Sequence, residues 1–145
     1  MSATSADYTV EHSVPGIQAY RHLREAAGLR AKTLAAAERG LPNTLFGVQV
    51  FCRGELVGMG RVIGDGGTFY QVVDIAVLPT HQGRGLRKKI MQAIAGYIAR
   101  EAPESAYVSL LADGQASRLY QQFGFMPTAP ASIGMAFRKG AAESA

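Results

Sequence analysis

A lone cysteine, Cys52, is all that this chain of 145 residues offers for redox chemistry, which excludes a disulfide framework. No apolar run approaches the roughly 20 residues of a membrane span, so no membrane partner is expected. The stretch from Met1 to Asp7 is polar and has neither the basic start nor the apolar core of a secretion signal. His12, His22 and His81 show no ligand spacing, so no metal site is expected. There is no repeat, no low-complexity linker and no break in composition, which places a single domain over residues 1–145. Together these absences fit a reducing cytoplasm, the expected compartment.

What is present is a globular balance: 48% of residues are apolar and 18% are charged, enough to bury a core at this length. The net charge of +4 favours an anionic partner. The basic residues are dispersed apart from a small cluster at Arg84, Arg87, Lys88 and Lys89. That suits a local anion site and argues against nucleic acid, which would need a continuous basic stripe or a recognition motif.

Patterning predicts a short strand at Tyr8–Val10, then a helix entered at Ser13-Val14-Pro15. Ile17, Tyr20, Leu23 and Ala27 recur along it at helical spacing, and Gly28 stops it. An Ala-rich helix follows from Arg30 to Arg39, ended by Gly40 and Pro42. Strand signals at Thr44–Cys52 and Glu55–Ile63 flank Arg53-Gly54, which reads as a hairpin turn. After Gly64–Gly67, the near-continuous apolar run Phe69–Leu78 reads as a central strand buried on both faces. A long helix to about Arg100 carries Leu86, Ile90, Ile94 and Ile98 on one face. Tyr107–Leu111 reads as a strand, and Ala116, Leu119, Tyr120 and Phe123 as a short helix ended by Gly124. A last strand is expected at Gly134–Arg138, and the tail from Gly140 to Ala145 is expected to fray. The fold class is α/β (α+β): one mixed, mostly antiparallel twisted sheet with helices on its faces and a parallel crossover.

The chemistry points to Pro79-Thr80-His81-Gln82-Gly83-Arg84-Gly85-Leu86-Arg87-Lys88-Lys89, between a buried strand and a helix. Glycines there let the backbone approach a ligand, and the helix that follows opens with unpaired N–H groups and the positive end of its dipole. Such a junction suits a pyrophosphate. The glycine and lysine order fits neither a Walker loop nor a dinucleotide fingerprint.

Val77-Leu78-Pro79 followed by Gln82-Gly83-Arg84-Gly85-Leu86-Arg87 resembles the hallmark of the GNAT superfamily of acyl-CoA-dependent N-acyltransferases. A second family signature, Leu-Tyr-x-x-x-Gly-Phe, is matched by Leu119-Tyr120-Gln121-Gln122-Phe123-Gly124-Phe125. The resemblance implies a sheet whose central strand pair splays apart, and an N-acetyltransferase that moves acetyl from acetyl-CoA, the acyl-donor substrate, to a primary amine. The amine would belong to a small molecule or peptide and attack directly in a ternary complex. The alternative is a non-catalytic acyl-CoA-binding sensor. Gln82, Gly83, Arg84, Gly85, Leu86, Arg87 and Lys88 would cradle the pyrophosphate, mostly through backbone N–H groups. Ile75, Ala76 and Val77 would pair with the pantetheine arm through theirs. Tyr120 would donate a proton to the departing thiolate.

Asp74 is the candidate general base, or equally a structural ion pair with Arg61; as a base it would suit a cationic substrate. Asp113 would contact cofactor or substrate, or cap the helix that follows it. Ser117 would bond the coenzyme arm or stand on the helix surface. Lys88 and Lys89 both have a reading as solvated residues, preferred for Lys89. Acceptor-wall candidates are Tyr20, Arg24, Leu29, Phe46, Tyr70 and Met135, most of which a core would also use. Small family members often dimerise, so a homodimer is admitted, although no apolar stripe demands one.

Arg87 departs from the family, which has glycine or alanine there. It either crowds the first helical turn or swings out to pair with a phosphate oxygen, the favoured reading. Arg87→Gly is expected to change acetyl-CoA affinity several-fold at most by calorimetry; complete loss of binding would make Arg87 an essential ligand.

Overall fold

The computed structural model describes residues 3–140. Five strands follow in order: β1 (Tyr8–Glu11), β2 (Phe46–Cys52), β3 (Glu55–Gly64), β4 (Phe69–Val77) and β5 (Tyr107–Ser109). Their spatial order is the same as their chain order. Strands β1 to β4 form an antiparallel meander, and β5 joins β4 in parallel. Helices α1 (Ile17–Ala26) and α2 (Leu34–Gly40) separate β1 from β2. Helix α3 (Leu86–Glu101) makes the crossover from β4 to β5, and α4 (Ser117–Gln121) follows β5. The mixed sheet with helical cover is the fold class expected. The chain divides into two compact units, Met1–Leu110 and Leu111–Ala145.

Local chemistry explains the turns. Arg53 and Gly54 take φ of 51° and 84°, the left-handed pair that a two-residue hairpin needs to match strand twist. At the β3–β4 turn, Asp65 Oδ1 accepts from the N–H groups of Gly67, Thr68 and Phe69. The Thr68 hydroxyl, donating to Oδ2, and then these backbone bonds hold the Asp65 carboxyl far below its ordinary range.

Side-chain alternation along β3 assigns the two faces of the sheet. Met59 joins Tyr20, Leu23, Ala37, Leu41 and Ala76 in a buried cluster beneath α1 and α2. Gly58 and Gly60 point the other way, where Ile90 and Ile94 of α3 settle against bare backbone. A Cβ built on Gly60 would fall 2.7 Å from Ile75 Cδ1 and 2.7 Å from Ile90 Cγ2. Glycine at this position therefore sets how closely α3 approaches the sheet.

Several elements are shorter than patterning suggests. The second helix starts at Leu34, because the Thr33 hydroxyl caps it by accepting from Ala36 N–H (3.1 Å). The strand expected at Tyr107–Leu111 ends at Ser109. The helix expected to run to Phe123 stops at Gln121 and is preceded by a 3-10 turn at Gly114–Ala116.

The strand expected at Gly134–Arg138 is not formed. Its alternating Ile133, Met135 and Phe137 are 70%, 86% and 92% exposed, and no backbone ladder engages them. Alternation permits a strand, but only pairing makes one. The expected fraying from Gly140 to Ala145 falls, apart from Gly140, outside the described residues.

Gly60→Ala should destabilise the protein by about 1–3 kcal/mol, the usual cost of overpacking a close contact, measured by urea unfolding. An unchanged midpoint would show that α3 can move aside freely.

Candidate active site

β4 is regular at both ends and irregular in the middle. It pairs with β5 only through Phe69–Tyr107, Tyr70–Val108 and Gln71–Ser109. On its other side the register with β3 jumps between Arg61–Val73 and Met59–Ala76. The one surplus residue forms a bulge at Asp74, whose φ is 60°. A bulge bends its strand, and past this one β4 runs on to Val77 with no partner on the β5 side. The splay implied by the sequence is therefore present within residues 1–110.

The bulge is fastened by charge. Asp74 Oδ2 accepts from Arg61 Nε (2.9 Å) and from the Tyr20 hydroxyl (2.9 Å), and Oδ1 accepts from Arg24 Nη1. The Asp74 side chain is 5% exposed. Arg24 also donates from Nε to Arg30 O (2.8 Å), and Arg61 from Nη1 to Thr44 Oγ1 (2.5 Å). The Arg61 guanidinium lies 5.4 Å from the centroid of the Tyr20 ring. Burial, followed by the Asp74 charge, holds the Tyr20 phenol above its ordinary range, so it stays protonated and donates.

The ion pair with Arg61 weighed from the sequence is thus present. Arg24 and Tyr20 complete it, and sequence reasoning gave neither this role. Their spacing of four residues on α1 puts both on one helix face, the signal that could have joined them to Asp74.

Beyond the bulge the backbone groups alternate. Leu78 N–H donates to Val57 O (2.9 Å), so Leu78 and, two residues back, Ala76 turn their groups toward β3. Ile75 and Val77 turn theirs toward the open side. By this alternation Ala76 turns its groups to β3, so the pairing expected of Ile75, Ala76 and Val77 with the coenzyme arm would fall to Ile75 and Val77. On Val77 the carbonyl is already used, accepting from Gln82 Nε2 (3.1 Å). The Gln82 side chain therefore closes the loop onto the strand end.

After a 3-10 turn at Pro79–His81, Gly83 and Gly85 take φ of 78° and 75°. A Cβ on either would meet nothing within 4 Å, so conformation and not crowding calls for glycine. The first bond of α3 runs from Lys89 N–H to Gly85 O (3.1 Å). Upstream, the N–H groups of Gly83, Arg84, Gly85, Leu86, Arg87 and Lys88 have no acceptor among the described residues. Such a run, with left-handed residues in it and a helix dipole behind it, binds anions.

The Leu86 side chain is buried and anchors the loop to the core. The Arg87 side chain makes no hydrogen bond or ion pair among the described residues, which leaves its cation available to a phosphate. Lys88 and Lys89 are exposed. Arg84 is also exposed but donates from Nη1 to Ala3 O (2.6 Å). It borders a cleft of about 360 Å³ with Cys52, Arg53, Glu55, Thr80 and His81.

In the second unit, Asp113 takes the N-cap position of the 3-10 turn but its side chain accepts no capping bond. Ser117 opens α4. Tyr120 is 7% exposed, its carbonyl accepts from the N–H groups of Phe123 and Phe125, and its ring meets Phe125 edge-on at 6.5 Å. Of the acceptor-wall candidates, Tyr20, Arg24 and Tyr70 are buried, Phe46 stacks on Tyr97, and Met135 is exposed.

Residues 43–127 match the family model of the acetyltransferase (GNAT) domain. The chain belongs to the GNAT acetyltransferase family. Its solved relatives include a probable acetyltransferase of unknown function from meticillin-resistant Staphylococcus aureus. That structure is 50% identical, with a TM-score of 0.86, over 90% of this chain and 98% of its own. A GNAT family acetyltransferase from Streptococcus pneumoniae shares the fold at 22% identity and a TM-score of 0.75, over 92% of this chain and 99% of that one. A putative GNAT acetyltransferase from Xanthomonas campestris pv. campestris is 28% identical, with a TM-score of 0.67, over 91% and 95%. A search of the curated proteins found no match. Among the described residues of this GNAT chain, no group of three or more His, Cys, Asp or Glu could hold a metal ion, and no helix is long and apolar enough to cross a membrane.

Asp74→Asn keeps a residue that tolerates the left-handed conformation while removing the charge that two buried guanidiniums share. It should cost about 3–5 kcal/mol in urea unfolding, the range for stripping one partner from a buried pair. A change below about 1 kcal/mol would show that the arginines relax to solvent.

Proposed function

We propose that this GNAT protein is an N-acetyltransferase that uses acetyl-CoA and acetylates a primary amine of a small molecule or peptide by direct attack in a ternary complex. The observation that carries the reading is the unbroken run of unpartnered amides from Gly83 to Lys88, placed where β4 has lost its neighbour. A diphosphate fits those amides and the free Arg87 cation. An extended amide-bearing arm fits the outward N–H and C=O of Ile75 and the outward N–H of Val77, continuing the sheet as a strand would.

Acetyl-CoA supplies the activated acyl group. The remaining work falls to the chain: the loop fixes the diphosphate, the open edge of β4 aligns the arm, and the bulge keeps that edge clear. Both oxygens of Asp74 are occupied by Arg24, Arg61 and Tyr20, so Asp74 is read here as the fastener of the bulge and not as the base. The proton of the incoming ammonium then leaves through water. Tyr120 takes the role of acid toward the thiolate on the strength of its place in Leu119-Tyr120-Gln121-Gln122-Phe123-Gly124-Phe125.

The test is thiol release from acetyl-CoA against a broad panel of amines. Release is expected with some of them and none without an amine; coenzyme binding with no release on any amine would favour the sensor. Because a thiol of pKa ~8.5 leaves with modest help, Tyr120→Phe should lower turnover by ~10²-fold while leaving acetyl-CoA affinity within a few-fold. Unaltered turnover, with chemistry rate-limiting, removes the acid role.

A further inference from the structure

The cluster that fastens the bulge carries more positive charge than it uses. Two guanidiniums face one carboxylate, a formal sum of +1. The bonds of Arg24 go from Nε to Arg30 O and from Nη1 to Asp74. Those of Arg61 go from Nε to Asp74 and from Nη1 to Thr44. Neither Nη2 has an acceptor among the described residues. Yet no buried side-chain nitrogen or oxygen among the described residues lacks a partner. Both Nη2 groups therefore reach solvent, through the tenth or so of each side chain that is exposed (10% for Arg24, 9% for Arg61).

Their position gives this surplus a use. Asp74 directly precedes Ile75 on the length of β4 beyond Gln71 that has no β5 partner. Arg61 shares the Met59 face by alternation, and α3 covers the opposite face through Ile90 and Ile94. Helices α1 and α2 cover most of the arginine-bearing face, so what an acceptor meeting an acyl group carried along Ile75–Val77 would find there is the small exposed part of each guanidinium. Guanidinium nitrogens already held in place offer directed, charge-assisted donors that suit a carboxylate or phosphate. A second positive charge on the acceptor would be repelled. This reverses the sequence expectation that Asp74 suits a cationic substrate, because its charge is already more than neutralised.

We infer that the acceptor is an amine that also bears an acidic group, carboxylate or phosphate, recognised by the outward Nη2 groups of Arg24 and Arg61. The inference rests on the N-acetyltransferase reading above. The test compares kcat/KM for matched amines in the thiol-release assay: L-alanine against ethylamine and L-phenylalanine against phenethylamine for a carboxylate, and O-phosphoethanolamine against ethanolamine for a phosphate.

The acidic member of at least one pair should be favoured ~10-fold or more, as one to two charge-assisted bonds give. Which pair responds separates carboxylate from phosphate. Arg24→Lys, which keeps the charge beside Asp74 but loses the fork, should shrink that ratio toward one. Both amines are measured on one sample, so loss of folded protein cancels from the ratio.

Equal turnover within every pair, preference for the uncharged partner, acetylation confined to amines without an acid group, or a ratio untouched by Arg24→Lys overturns the inference while leaving an acetyltransferase standing. Absence of thiol release with every amine overturns both readings.

Discussion

A carboxylate held in an awkward place organises this structure. Asp74 sits in the left-handed region at φ 60°, in the middle of the strand that should be the most regular of the sheet. For a residue other than glycine that conformation costs on the order of 1 kcal/mol. It persists because Arg24 reaches from one helix and Arg61 from the neighbouring strand to the same two oxygens, with the Tyr20 hydroxyl closing the set. The resulting bulge bends β4, its ladder with β5 ends at Gln71, and a length of backbone is left open. The glycine loop proposed to hold the diphosphate follows that same strand.

Buried ion pairs rarely stabilise a fold beyond what apolar side chains of the same volume would give, because desolvation offsets most of the attraction. The network is better understood by what it positions. A charged knot fixes the bend at one residue and leaves the edge beyond it free. On the inference drawn above, the outward Nη2 groups of the same knot would meet the acceptor, so the residues that open the sheet would also select what is acetylated.

Much of the architecture was legible because it is local. Arg53-Gly54 announced a hairpin turn, and both residues have the positive φ it requires. The apolar run at Phe69–Leu78 announced a central strand, and the glycines after Pro79 the left-handed turn that leads into α3. Long-range features stayed hidden. Nothing adjacent to Asp74 signals a second arginine fifty residues earlier, nor a register jump against β3. The alternation at Ile133, Met135 and Phe137 looks like a strand in isolation, yet pairing is decided by partners and not by pattern. Arg87 and the amides before Lys89 could be named from the sequence, but that the Arg87 side chain has no partner among the described residues required the structure.

The most direct test is an amide NMR titration of the folded protein with coenzyme A. Resonances of Gly83 to Lys88 should shift together with those of Ile75 and Val77, while Ala76, turned into the sheet, moves less. Binding that leaves those two segments unmoved, or no binding at all, would contradict the assignment of the split strand and its loop to the coenzyme.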